Sequence, residues 1–141
     1  MDQNLKRQII MEHYSYPKNR KRTEDKNYQK INSNNVSCID NIDIYVKLNN
    51  NIIEDICFDG EACAISISST SILITNLIGK TINEALNYIN EFEKMLNELP
   101  YNENILKEAI CYDDIYKQSN RKNCAFLPYK GLKKLLEDNV K

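Results

Sequence analysis

Strict alternation over residues 42 to 48 is the feature that most restricts the fold. Ile42, Ile44, Val46 and Leu48 interleave with Asp43, Tyr45 and Lys47, the period of a strand with one buried face. Three consecutive asparagines, Asn49, Asn50 and Asn51, follow, and Ile52 to Phe58 returns as a second strand. Asparagine tolerates positive φ, so the spacing predicts a tight turn and an antiparallel pair.

Helical periods surround this hairpin. Leu5, Ile9, Ile10 and Tyr14 predict a first helix over 4–14, with no breaker before Pro17. Residues 15–35 show no clear period and read as loop with at most one short strand. After Gly60, the residues Ile65, Ser69, Ile72, Leu73 and Leu77 predict a helix rich in small residues from about Cys63 to Leu77, stopped at Gly79. Thr81 reads as the cap of another helix, whose stripe is Ile82, Ala85, Leu86, Ile89, Phe92, Leu96 and Leu99, ended by Pro100. Residues 101–120 should hold a short helix near Ile105 to Ile110 and then a loop. The last helix is expected from about Cys124 to Glu137, burying Leu127, Leu132, Leu135 and Leu136. The order of elements predicts an α+β fold: one domain over 1–141, with a small antiparallel sheet of about three strands and helices packed on one face.

Nineteen Lys and Arg against twenty Asp and Glu leave a net charge of −1. No global field attracts a polyanion or an anionic bilayer, so nucleic-acid and membrane partners are not expected. The N-terminal residues lack the apolar run of a secretory signal, and no window approaches a membrane span; the expected location is the cytoplasm. In that setting an odd count of five cysteines points to reduced thiols available for metal or catalysis.

Three of those thiols sit in distinctive contexts. Cys38 lies in Ser37-Cys38-Ile39-Asp40, Cys63 opens the Ser-rich helix after Gly60-Glu61-Ala62, and Cys124 precedes Ala125-Phe126-Leu127. Three thiolates and the Asp40 carboxylate would satisfy tetrahedral Zn²⁺, and the same thiolates would suit iron and sulfide. Cys38 and Asp40, two apart in an extended segment, point to one side. Cys63 and Cys124, each expected at a helix start, would be favoured as thiolates by the positive helix end. Arg121 and Lys122 would offset the negative charge, and the planar fork of Arg121 suits a hydrogen bond to Asp40. Spacing alone leaves open the alternative of buried structural thiols, because no Cys-x₂-Cys pair is present.

Four segments, residues 12–20, 37–40, 58–71 and 121–132, resemble the IscU/NifU-like family of iron–sulfur cluster assembly proteins over nearly the whole chain. The long insertion after Gly79-Lys80, and Arg121 three residues before Cys124 with no histidine beside that cysteine, are most similar to the SufU branch. The resemblance implies metal ligands at Cys38, Asp40, Cys63 and Cys124, a sulfur acceptor at Cys38 and a supporting role for Arg121. It further implies Zn²⁺, with a [2Fe–2S] cluster as the alternative cofactor. The implied partners are a SufS-type, PLP-dependent cysteine desulfurase and the downstream iron–sulfur assembly machinery. The implied role is a co-substrate that carries sulfur rather than a stand-alone catalyst; the alternative is a scaffold for a [2Fe–2S] cluster. Val36 and Ile39 replace the proline and glycine usual in the family's first cysteine loop.

The remaining candidates have plainer readings. Cys57 and Cys111 read as ordinary thiols, with Cys57 a reserve ligand. The lone His13 reads as structural or partner-facing, and Ser66, Ser68, Ser69 and Ser71 as small residues for helix packing. The basic run from Lys18 to Arg22 reads as a solvated loop, or as a contact for an acidic patch on a desulfurase.

Overall fold

The computed structural model describes residues 1–35 and 39–140. The hairpin forms as its alternation requires: β2 (Asn41–Asn49) and β3 (Ile52–Glu61) pair antiparallel. Asn50 and Asn51 form the two-residue turn at φ 49° and 72°, the double positive φ of a type I′ turn. The stretch expected to be mostly loop yields a full strand, β1 (Tyr28–Asn34), on the other side of β2, giving the order β1-β2-β3. Its sequence hides it, because only Ile31 and Ser33 face the core, opposite Ile44 and Ile42.

The free edge of β3 is covered by the segment between the first helix and β1. Lys21 donates its amide to the Phe58 carbonyl, and Phe58 donates to the Asn19 carbonyl, which blunts an otherwise unpaired edge. Arg20 pairs with Asp59, and Arg22 with Asp43 and Asp59. Two cations of the basic run are thus ion-paired to the protein's own sheet, while Lys18, Arg20, Lys21 and Arg22 all stay exposed on a loop, in line with the solvated reading.

Among the described residues the helices are α1 (Gln3–Ser15), α2 (Ala64–Leu77), α3 (Ile82–Leu96), α4 (Glu103–Leu106) and α5 (Ser119–Glu137), with 3₁₀ turns at Lys107–Tyr112 and Ile115–Lys117. The apolar side chains of α2, α3 and α5 join Ile42, Ile44, Val46, Ile56 and Phe58 in one core. The side chain of Asp2 caps α1 by accepting from the Leu5 amide at 2.8 Å, and buried Lys6 ties the helix to Asp113 and Asp114. Thr81 and Glu84 form the reciprocal capping box of α3.

Two boundaries differ from expectation. The α3 helix stops at Leu96, short of Leu99, because Glu98 turns left-handed (φ 61°). Glu98 then donates to the Met95 carbonyl and Leu99 to the Lys94 carbonyl, a Schellman stop that leaves Leu99 exposed. The α5 helix begins at Ser119, five residues before Cys124; its first turn is polar, so no apolar stripe announces it.

Central α2 is buried along almost its whole length although it carries Ser66, Ser68, Ser69, Thr70 and Ser71. Each hydroxyl finds a partner, as buried polar groups must. Ser68 meets the Tyr112 hydroxyl, Ser69 donates to the Ala125 carbonyl at 2.6 Å and Thr70 to the Ser66 carbonyl at 2.7 Å. Ser71 lies 2.7 Å from His13 Nδ1 and accepts from the Lys18 amide. His13 also reaches Glu108 at 3.3 Å, so the lone histidine joins α1 to α2 and to the 3₁₀ segment, in line with its structural reading. No helix among the described residues is long and apolar enough to cross a membrane.

Candidate metal centre

The sheet register brings the first two site residues together. Asn41 pairs with Glu61 and Ile42 with Gly60, so one step beyond the ladder Asp40 approaches the start of α2. Gly60 permits the approach. At φ +145° and with the Asn41 carbonyl only 2.2 Å from where a Cβ would sit, no other residue fits without displacing β2. Cys63 is the N-cap of α2, with no side-chain cap of its own. Its amide donates instead to Asp40 Oδ1 at 2.8 Å, and the carboxylate sits at the positive end of the helix.

The third residue arrives with α5. Cys124 lies in the second turn of that helix, and α5 docks on α2 through Ser66 and Ser69, which donate to the carbonyls of Cys124 and Ala125 at 3.0 and 2.6 Å. One ligand atom each from Asp40, Cys63 and Cys124 lie within 4.8 Å of one another. Around a tetrahedral ion with bonds of about 2.3 Å, ligand atoms sit roughly 3.8 Å apart, so the three need contract only slightly to share one ion. Cys63 Sγ is 3.7 Å from Asp40 Oδ2 and 3.6 Å from Ser66 Oγ. Cys38 lies outside the described residues.

The electrostatics fit a cation. Asp40 is almost fully buried, and burial pushes its carboxyl pKa upward. The Cys63 amide, the Cys124 thiol, the Ser66 hydroxyl and the Cys63 thiol together outweigh this, and the net shift is downward. The Cys124 thiol is pushed strongly up, first by burial and then by Asp40 and Cys63 beside it. One negative charge is thus accommodated by hydrogen bonds and a second is resisted, an imbalance that a metal ion between these groups reverses. This corrects the expectation for Cys124: being inside α5 rather than at its start, it gains no help from the helix end.

Arg121 is placed differently from expectation. It is exposed on the first turn of α5 and lines a hollow with Ile10, Met11, Ile65 and Tyr112; among the described residues no hydrogen bond joins it to Asp40. The donor that takes that place is Ser66, whose hydroxyl reaches Asp40 Oδ2 at 2.8 Å. The signal for it is position alone, three residues after Cys63, where α2 turns the side chain back towards its N-terminus. Ile39, beside Asp40, is 73% exposed. Cys57 and Cys111 are buried away from this group, and burial raises both thiol pKa values, which suits inert packing thiols.

The NifU-like N-terminal domain family matches residues 5–124. The zinc-dependent sulfurtransferase SufU of Bacillus subtilis is 35% identical over 131 residues, covering 92% of this chain and 88% of that protein. The iron–sulfur cluster assembly scaffold protein IscU of Thermotoga maritima is 34% identical over 103 residues, covering 73% of this chain and 72% of that one. The crystal structure of the SUF-system protein FiSufU from Fervidobacterium islandicum AW-1 superposes with a TM-score of 0.86 at 32% identity, covering 91% of this chain and 93% of that one.

Proposed function

The chain belongs to the NifU-like N-terminal domain family, and from that premise we propose that it is a zinc-holding sulfur acceptor for a PLP-dependent cysteine desulfurase of the SufS type. Its place is in iron–sulfur cluster assembly, the process named for its IscU relative and for the FiSufU structure. The observation that carries the reading is the convergence of Asp40, Cys63 and Cys124, with Cys38 only two residues before Asp40 in the chain and assigned as the fourth ligand. A bound Zn²⁺ would supply the positive charge that lets three thiolates and a carboxylate lie together deprotonated.

The division of labour follows from anchoring. Cys63 is fixed at the N-cap of α2 and Cys124 inside α5, whereas Cys38, outside the described residues, is held by neither helix in the sequence order. We assign sulfur acceptance to Cys38. Its thiolate attacks the outer sulfur of a persulfide on the desulfurase, forming a new S–S bond. The old S–S bond breaks, and its electron pair leaves with the desulfurase cysteine as thiolate. The transfer is redox-neutral and needs no further reactant. Asp40, held by the Cys63 amide and Ser66, keeps its orientation while Cys38 is engaged elsewhere. The product would pass to the downstream assembly machinery.

The same donors suit a [2Fe–2S] cluster, and an IscU scaffold is among the relatives, so assembly of a cluster on this chain is the second reading. Asn123, not histidine, precedes Cys124, which favours the first. The test is desulfurase turnover with zinc-loaded wild type and with Cys38→Ser. Acceleration by wild type and none by the variant is expected; equal acceleration by both rules out Cys38 as acceptor. Visible absorption from a bound cluster, in place of zinc, would favour the scaffold.

A further inference from the structure

Pro128 sits inside α5. Having no N–H, it cannot make the usual helical bond to the carbonyl four residues earlier, and that residue is Cys124. The freed Cys124 carbonyl is taken by Ser66 Oγ at 3.0 Å, and the same oxygen lies 2.8 Å from Asp40 Oδ2. Ser66 is fully buried. A serine hydroxyl has one proton to give, yet here it faces two acceptors: one belongs to a candidate metal ligand, the other to the backbone of a second.

We infer that Ser66 is the positioning residue of the metal centre: its proton is shared between the Asp40 carboxylate and the Cys124 carbonyl that Pro128 leaves open. The inference rests on the metal-binding reading above and deepens it. While the carboxylate is free of metal, the proton is drawn to the charged acceptor, the stronger of the two. When Asp40 gives electron density to an ion, the proton has a second acceptor within reach, so neither hydroxyl nor carbonyl is left unpaired. Asp40 can therefore engage and leave an ion without opening α5. Proline in the helix and serine one turn after Cys63 form a matched pair: without Pro128 the second acceptor would already be occupied by an amide.

The matched pair also gives a test that separates positioning from simple structural support. Ser66→Ala removes the donor from both acceptors. Ser66→Ala with Pro128→Ala returns an amide to the Cys124 carbonyl but nothing to Asp40. We expect the metal-free S66A protein to melt lower than wild type, and the double variant to recover much of that loss. Zn²⁺ affinity, measured by chelator competition, should fall about 10- to 100-fold in S66A and stay low in the double variant. The Co²⁺-loaded proteins should show the same division, with ligand-field bands altered from wild type in both S66A and the double variant. Recovery of metal affinity by P128A in the double variant would overturn the inference, because Ser66 would then act only through the helix backbone. So would wild-type affinity in S66A. If S66A does not fold, the double variant carries the affinity measurement. Failure of the wild-type protein to bind Zn²⁺ or Co²⁺ would instead overturn the metal reading itself.

Discussion

Asp40 and Cys63, twenty-three residues apart, are joined twice: the Cys63 amide donates to Asp40 Oδ1 at 2.8 Å, and the Cys63 sulfur lies 3.7 Å from Oδ2. The carboxylate therefore does two things. It caps the N-terminus of a buried helix whose own N-cap side chain makes no capping bond, and it offers its second oxygen to the space shared with two thiols. These roles can be separated by substitution.

Asp40→Asn keeps an oxygen for the Cys63 amide and removes the charge. Zinc affinity should fall at least tenfold, with a smaller effect on metal-free stability. Asp40→Ala removes the cap as well and should lower the unfolding free energy of metal-free protein by about 1–2 kcal/mol. Chelator competition and urea titration of the two variants check both statements. Equal zinc affinity in wild type and Asp40→Asn would remove Asp40 from the ligand set.

Two glycines should respond unequally to alanine. Gly60 combines φ +145° with a carbonyl 2.2 Å from the would-be Cβ, and Gly60→Ala should cost about 3 kcal/mol or more. It should also reduce metal affinity, since the strand pairing that delivers Asp40 is disturbed. Gly131 lets α5 cross β1, with Ser33 Cβ 3.0 Å from the would-be side chain. Its backbone is ordinary, so Gly131→Ala should cost only about 1 kcal/mol. Urea midpoints give the comparison, and a reversed order would contradict the packing described here.

Lys6 is buried between Asp113 and Asp114. Its pKa is raised, first by the Asp113 hydrogen bond. A raised lysine pKa contributes stability below its unfolded value, near 10.4, and loses it only as pH climbs through the folded value. Neutral pH therefore retains the whole contribution. Lys6→Ala should destabilise by about 1–2 kcal/mol at pH 7, with the difference from wild type shrinking above pH 10. Denaturation at pH 7 and pH 11 measures it.

The acid side has the opposite sign. Asp114 is lowered chiefly by its hydrogen bond from Gln3, and Asp59 chiefly by the Gly60 amide; Asp40 is lowered despite its burial. A depressed carboxylate stabilises above its unfolded value, about 3.9, and that contribution is lost as pH falls through the folded value. Metal-free protein should keep its urea midpoint from pH 7 to about 5 and lose stability progressively below pH 4. A midpoint unchanged down to pH 2 would contradict the role given to these carboxylates.

Much of this arrangement was legible in the sequence wherever one period dominated. The Ile42-to-Phe58 hairpin, the asparagine turn and the Thr81 cap are local patterns with local causes, and all three form. β1 was faint because an edge strand with polar residues on its outer face shows little alternation. The start of α5 was hidden because Ser119 to Asn123 carry no apolar residue, which misplaced Cys124 at a helix start. Chemistry and resemblance led to the expectation that Asp40, Cys63 and Cys124 converge, and they do, but the contacts of Ser66 were not legible. A serine in a small-residue helix carries no mark of the two acceptors, distant in the chain, that tertiary packing brings to it.

Asp40, Cys63 and Cys124 are proposed to share a single ion with Cys38. Zinc K-edge absorption on the loaded protein measures this directly. One zinc per chain is expected, with about three sulfur neighbours near 2.3 Å and one oxygen near 2.0 Å, falling to two sulfurs in Cys124→Ser. A first shell of oxygen and nitrogen alone, or one unchanged by Cys124→Ser, would contradict it.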